Sequence, residues 1–128
     1  MIPNQRSTQK TGIHGEDIAV QYLEREGYTI LERRYHFEKA EVDIIAYDNR
    51  RIILVEVKTR SGASFEDADG IMSVDQFRRI AHAGQAWLYE RKMEGSPIRF
   101  DLIMVLIGTG EPLVKHYVDA GYDLQWKR

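Results

Sequence analysis

The chain has no cysteine among its 128 residues, which excludes disulfides, thiolate zinc sites and a cysteine nucleophile. This composition fits a reducing compartment, and a cytoplasmic location is expected. Long apolar runs are also missing. The longest, Leu102 to Ile107, suits a buried strand and falls far short of a membrane span. The opening segment, MIPNQRSTQK, lacks the apolar core of a signal peptide. No large excess of one charge exists either: the formal net charge is −2, so the chain is no polycationic nucleic-acid binder. A local basic rim remains compatible with phosphate binding, and basic pairs occur at Arg33-Arg34, Arg50-Arg51, Arg78-Arg79 and Arg91-Lys92. Taken singly, each reads as a solvated surface pair. The four histidines show no ligand spacing, and neither an internal repeat nor a phosphate-binding glycine loop is found. What remains is one domain, with 43% hydrophobic and 30% charged residues, enough for a single core without cross-links.

The most informative stretch runs from Glu41 to Arg60. Two apolar runs, Val42 to Tyr47 and Ile52 to Val57, are joined by Asp48-Asn49-Arg50-Arg51. Asp and Asn bond to nearby backbone and tolerate left-handed conformations, so the pattern predicts a hairpin with strands near 41–47 and 51–59. The second strand is apolar on both faces at Ile52 to Val55, as a covered central strand must be. Yet it ends in Glu56-Val57-Lys58, with the carboxylate and the ammonium two residues apart on one face. Glu41 and Asp43 likewise share a face of the first strand. Ionisable groups on an apolar sheet need a reason, because an unpaired buried charge is costly. One reason is a structural ion pair, Lys58 balancing Glu56 or Asp43, although desolvation offsets much of such a pair's attraction. The other is a divalent-metal site, in which Asp43 and Glu56 supply hard oxygen ligands and Lys58 reaches a water or a phosphate.

An Asp on one strand followed by Glu-x-Lys on the next resembles the PD-(D/E)xK nuclease superfamily. The chain as a whole resembles the YraN family of small bacterial, endonuclease-like proteins. The matching pieces are Gly15-Glu16-Asp17-Ile18-Ala19, Gly27-Tyr28, Glu41 to Ala46, Val55 to Arg60 and Arg99-Phe100-Asp101, in the family's order. The resemblance implies a restriction-endonuclease-like fold and a Mg²⁺ or Mn²⁺ cofactor held by Asp43, Glu56 and Glu16. Glu16 equally suits the positive end of its helix. It further implies catalytic roles for Asp43, Glu56, Lys58 and Gln76, with nucleic acid, DNA foremost, as the partner. Two positions depart from the family pattern: Gln76 stands where a lysine is usual, and Ala40 where glycine is common.

In chain order, residues 1–11 read as a flexible arm before a domain spanning 12–128. A helix is predicted from Gly12 to Glu26, with Ile18, Ala19, Tyr22 and Leu23 facing the core and Gly27 as its left-handed cap. Tyr28 to Tyr35 reads as a strand, with His36 and Lys39 in the connection that follows. Residues 61–72 read as a mobile loop beside the Glu56–Lys58 strand. Ser73 followed by Gln76 matches a capping box, opening a helix to about Met93 with an apolar face of Phe77, Ile80, Ala81, Gly84, Trp87 and Leu88. Ile98 to Ile107 and Leu113 to Val118 read as the last strands. The expected fold is α/β, order α-β-β-β-α-β-β, a mixed sheet flanked by helices: three strands in an antiparallel meander, the fourth returning through the second helix. The expected function is a metal-dependent, endonuclease-like phosphodiesterase on nucleic acid. The alternatives are a noncatalytic nucleic-acid-binding or adaptor module and an inert structural partner.

Overall fold

The computed structural model describes residues 3–62 and 73–120, with side chains from His14 onward. Helix α1 spans Pro3–Arg25, strands β1 to β3 span Thr29–Phe37, Ala40–Tyr47 and Ile52–Ser61, and helix α2 spans Val74–Glu90. Strands β4, Ile98–Ile107, and β5, Leu113–Tyr117, complete one α/β domain in the expected order. The sheet runs β1-β2-β3-β4-β5. It is mixed: β1, β2 and β3 form an antiparallel meander, β4 lies parallel to β3 after the α2 crossover, and β5 returns antiparallel at the edge.

Local chemistry sets these elements. The β2–β3 turn is held by the Asp48 carboxylate, which accepts from the N–H groups of Arg50 and Arg51 at 3.0 and 2.7 Å, while Asn49 takes a φ of 76°. Helix α1 ends at Gly27, φ 92°, with Tyr28 N–H donating to the Leu23 carbonyl at 2.9 Å and Gly27 N–H to that of Glu24 at 3.1 Å, a double closure of the last turn. Its start differs from the expectation. The helix begins at Pro3, so residues 3–11, read as an arm, form its first turns. That polar stretch carries no apolar periodicity, but proline suits the first helical turn and Gln, Arg and Lys propagate a helix well. His36 also moves: β1 continues through Phe37, and only Glu38 and Lys39 connect it to β2. Most of the loop read at 61–72, residues 63–72, lies outside the described residues, as does the tail from 121.

Both faces of the sheet are covered, as the doubly apolar β3 required. Ala19 and Leu23 of α1 pack with Ile44, Ile53, Val55, Ile103 and Val105, while Phe77, Ile80, Ala83, Trp87 and Leu88 of α2 pack with Val42, Ile45, Leu54 and Phe100. Two helical glycines set the closeness of approach. A methyl group on Gly15 would collide with the side chain of Thr59, and one on Gly84 with Leu54, so both helices lie directly on β3. Among the described residues, no helix is long and apolar enough to cross a membrane.

Candidate functional site

The β2–β3 ladder ends at the pair Ile44 and Val55. Two residues farther along β3, the Val57 N–H donates to the Asp43 carboxylate at 2.8 Å. Asp43 therefore sits in the fork where the two central strands part. The packing parity of β2 breaks at the same place: Val42 and Ile45, three apart, join the α2 side, while Ile44 between them joins the α1 side. Strand β1 is irregular there too. Its register sets Arg33 opposite Ile44 and Tyr35 opposite Val42, which puts Arg34 opposite Asp43. Arg34 has a φ of 54°, a left-handed conformation that costs a non-glycine residue about 1–2 kcal/mol. The twist turns Arg34 toward α1, where its Nε donates to Glu16 Oε1 at 3.1 Å, and Arg33 bonds Asp17 at 2.8 Å beside it.

Glu56 emerges from β3 on the α2 side. Its Oε1 accepts a long hydrogen bond, 3.4 Å, from Gln76 Nε2 at the start of α2. The expected cap is also present, since Ser73 Oγ accepts from Gln76 N–H at 3.1 Å. Gln76 thus takes the cap through its backbone, while its side-chain amide reaches Glu56. These groups open onto a cleft of about 270 Å³, whose walls also carry Glu41, Lys39 and Arg79.

Electrostatics marks the two carboxylates. Burial pushes Asp43 up to about 6; Glu16 and Glu41 add to this, and the bond from Val57 N–H restrains it. Burial pushes Glu56 farther, to about 8, reinforced by the charge of Asp43 and by their mutual hydrogen bond, and eased by nearby Lys58. Two carboxylates this close resist ionising together without a cation, and both shifts run in the direction that favours a proton retained on the pair. Lys58, two residues beyond Glu56 on the same face, is near enough to lower Glu56. Among the described residues, however, it forms no ion pair with Asp43, Glu56 or any other carboxylate. The structural ion-pair reading of Lys58 thus lacks its contact.

The donor set fits a hard divalent ion. Asp43 and Glu56 offer oxygen, the preferred donor of Mg²⁺, and they are crowded in a way that a cation relieves. Among the described residues no three of His, Asp and Glu converge on one point, so Asp43 and Glu56 alone form the donor pair. Glu16 is close enough to raise Asp43, but its carboxylate is presently held by Arg34.

The sequence profile of the uncharacterised protein family UPF0102, the YraN family, matches residues 15–105, which include every one of these site residues. The chain belongs to this family. A UPF0102 protein of Rhodococcus opacus is 36% identical over 110 residues, covering 85% of this chain and 93% of its own. A UPF0102 protein of Flavobacterium psychrophilum is 35% identical over 111 residues, 87% of this chain and 92% of its own. One of Clostridium perfringens is 38% identical over 94 residues, 73% and 77% of the two chains.

A second polar cluster of this UPF0102 chain escaped the sequence reading. Asp101, fully buried on β4, accepts from Arg99 Nε and Nη2 at 2.8 and 2.7 Å and from Asp119 N–H at 2.9 Å, and it bonds His116 Nε2 at 2.7 Å. Tyr28 and Tyr22 complete it through Arg99 and His116, at 2.8 and 3.0 Å. The signal available was Arg99 and Asp101 two apart in an apolar strand. Their partner His116 becomes legible only once β4 and β5 pair. Lys39 and Arg79 were missed as cleft residues for a similar reason, since they lie 40 positions apart and meet only across the fold.

Proposed function

We propose that this protein is a metal-dependent phosphodiesterase acting on nucleic acid, DNA foremost, in the manner of PD-(D/E)xK nucleases on a restriction-endonuclease-like fold. The observation that carries the reading is the half-buried Asp43–Glu56 pair, raised in pKa at the fork of two central strands, open to a cleft. Asp43 and Glu56 would hold Mg²⁺ or Mn²⁺, with Glu16 as a further or water-mediated ligand. When bound, the ion supplies Lewis acidity, polarising a phosphoryl oxygen and acidifying water.

The chain's own residues do the rest. The Val57 N–H fixes one oxygen of Asp43, and the Gln76 amide fixes Glu56, so the donors are oriented before any ion arrives. Lys58, near the pair yet unpaired to it, is positioned to orient the attacking water or to stabilise charge on the phosphate. Arg34 holds Glu16 beside the pair, and its strained backbone is a feature that functional sites commonly retain. A noncatalytic nucleic-acid module is favoured by one observation, that the helix-borne polar group at the site is the neutral Gln76.

The test is cleavage of single-stranded, duplex, branched and flapped DNA and RNA by purified protein with Mg²⁺ or Mn²⁺, beside Glu56→Ala. Metal-dependent cleavage of at least one substrate, lost in the variant, is expected. No cleavage of any substrate, or equal cleavage by the variant, contradicts the enzyme reading.

A further inference from the structure

The cleft is lined by the half-buried Asp43 and Glu56 together with the exposed Glu41, Lys39 and Arg79. Lys39 occupies one wall, in the two-residue connection between β1 and β2, where Glu38 takes a left-handed φ of 56° to close the turn. Arg79 lines the same cleft from α2, one turn beyond Gln76 and on the same helical stripe. Like Lys58 and several other cations of the surface, these two have no carboxylate partner among the described residues, whereas five arginines are engaged. Arg33, Arg34, Arg51, Arg91 and Arg99 are each tied to a carboxylate. Lys39 and Arg79 are exposed and, among the described residues, pair with no carboxylate, although Glu41, Asp43 and Glu56 share their cleft. Neighbouring Glu38 is turned toward His82, at 4.0 Å, rather than toward Lys39. Two cations from different elements, left open in the lining of one polar cleft, are suited to an anion from outside.

We propose that Lys39 and Arg79 are a phosphate-binding rim, gripping the backbone on either side of the phosphodiester that faces Asp43 and Glu56. The inference rests on the phosphodiesterase reading and narrows it. The ligand is a nucleic-acid strand crossing the cleft from the β1–β2 connection to α2, not a free nucleotide or a phosphomonoester. Charge counting adds a second consequence. A divalent ion adds positive charge beside the three carboxylates and two cations of the cleft, so strand binding is strengthened by the ion. The backbone is read as charge, which makes the grip indifferent to base sequence.

The experiment is fluorescence anisotropy with a labelled 20-nucleotide strand and its duplex across a salt series. Ca²⁺ serves as the oxygen-liganded ion, and gels verify that the strands stay intact. Lys39→Ala and Arg79→Ala should each weaken binding and lower the slope of log K against log salt by roughly 0.7–0.9, with the double variant losing about twice that. Mn²⁺ binding by calorimetry should stay at wild-type strength in both. Lys115→Ala, on the opposite sheet edge, should leave the slope unchanged, and a nucleoside monophosphate should not displace the strand. An unaltered slope in the rim variants, an equal loss in Lys115→Ala, or displacement by the monophosphate overturns the rim while leaving the nucleic-acid reading intact. No binding of any strand by wild type with Ca²⁺ present overturns both.

Discussion

Asp43 and Glu56 make the site chemically unusual, and they also make it costly. Both keep their protons to higher pH in the folded chain than model carboxylates do, near 3.9 and 4.3. As pH rises above about 4, the unfolded chain releases protons that the folded chain retains, and stability falls until Glu56 ionises, at about 8. Below about 4 the penalty vanishes. In EDTA, melting temperature should therefore decline from pH 5 to 8.5 more steeply in wild type than in Asp43→Asn/Glu56→Gln, and parallel profiles would show that the pair is not strained. Lys58 tests the chemistry rather than the stability. Lys58→Met keeps the apolar stem and removes the charge. With Mg²⁺ neutralising the carboxylates it should melt near wild type, while cleavage falls ~100-fold or more, the scale of one lost transition-state contact. Full cleavage by this variant refutes the role given to Lys58.

Among the elements, α1 is the one whose position decides whether Glu16 can reach the pair. Gly15 lets α1 lie against Thr59, and Glu16 follows immediately. Alanine normally stabilises a helix interior by about 1 kcal/mol over glycine. Here Gly15→Ala should instead destabilise, because Thr59 is β-branched and stiff, and overpacking costs about 1–3 kcal/mol. Thr59→Ala in the same chain should recover much of the loss in chemical denaturation, and full additivity of the two changes would contradict the contact. The β4–β5 edge is held differently, through Asp101. Burial alone would raise its pKa, but the bonds from His116, Arg99 and Asp119 N–H outweigh burial and lower it. The stability this supplies is present above the unfolded value and is lost as acid protonates Asp101. Asp101→Asn leaves Arg99 with Asp48, at 3.5 Å, as its remaining carboxylate and should cost about 3 kcal/mol at neutral pH, the low end of the scale for a broken buried pair. A loss under 1 kcal/mol would show that the cluster is not a structural clasp.

At the scale of the molecule, what was legible is what local pattern controls. The Asp48-Asn49 turn, the doubly apolar Ile52–Val55 run and the Ser73 cap are each written within a few residues, and together they forced a meander, a covered central strand and a crossover helix. Asp43 and Glu56 stood out because carboxylates are conspicuous on such strands. The left-handed Arg34, the clasp on Asp101 and the facing of Lys39 and Arg79 were not legible, since each depends on segments that meet only after folding. The first turns of α1 were hidden because a polar helix has no apolar stripe to announce it. A net charge of −2 concealed a cleft that gathers three carboxylates and two cations. The central claim is that Asp43 and Glu56 form a cation site held in waiting by a shared proton. It is tested most directly by titrating Mn²⁺ into the protein at pH 7 by calorimetry, in buffers of different ionisation enthalpy. Binding should release about one proton, because the ion replaces the one the pair holds, and Asp43→Asn or Glu56→Gln should abolish both binding and release. Mn²⁺ bound equally by wild type and both variants, or not bound by wild type, would contradict the account.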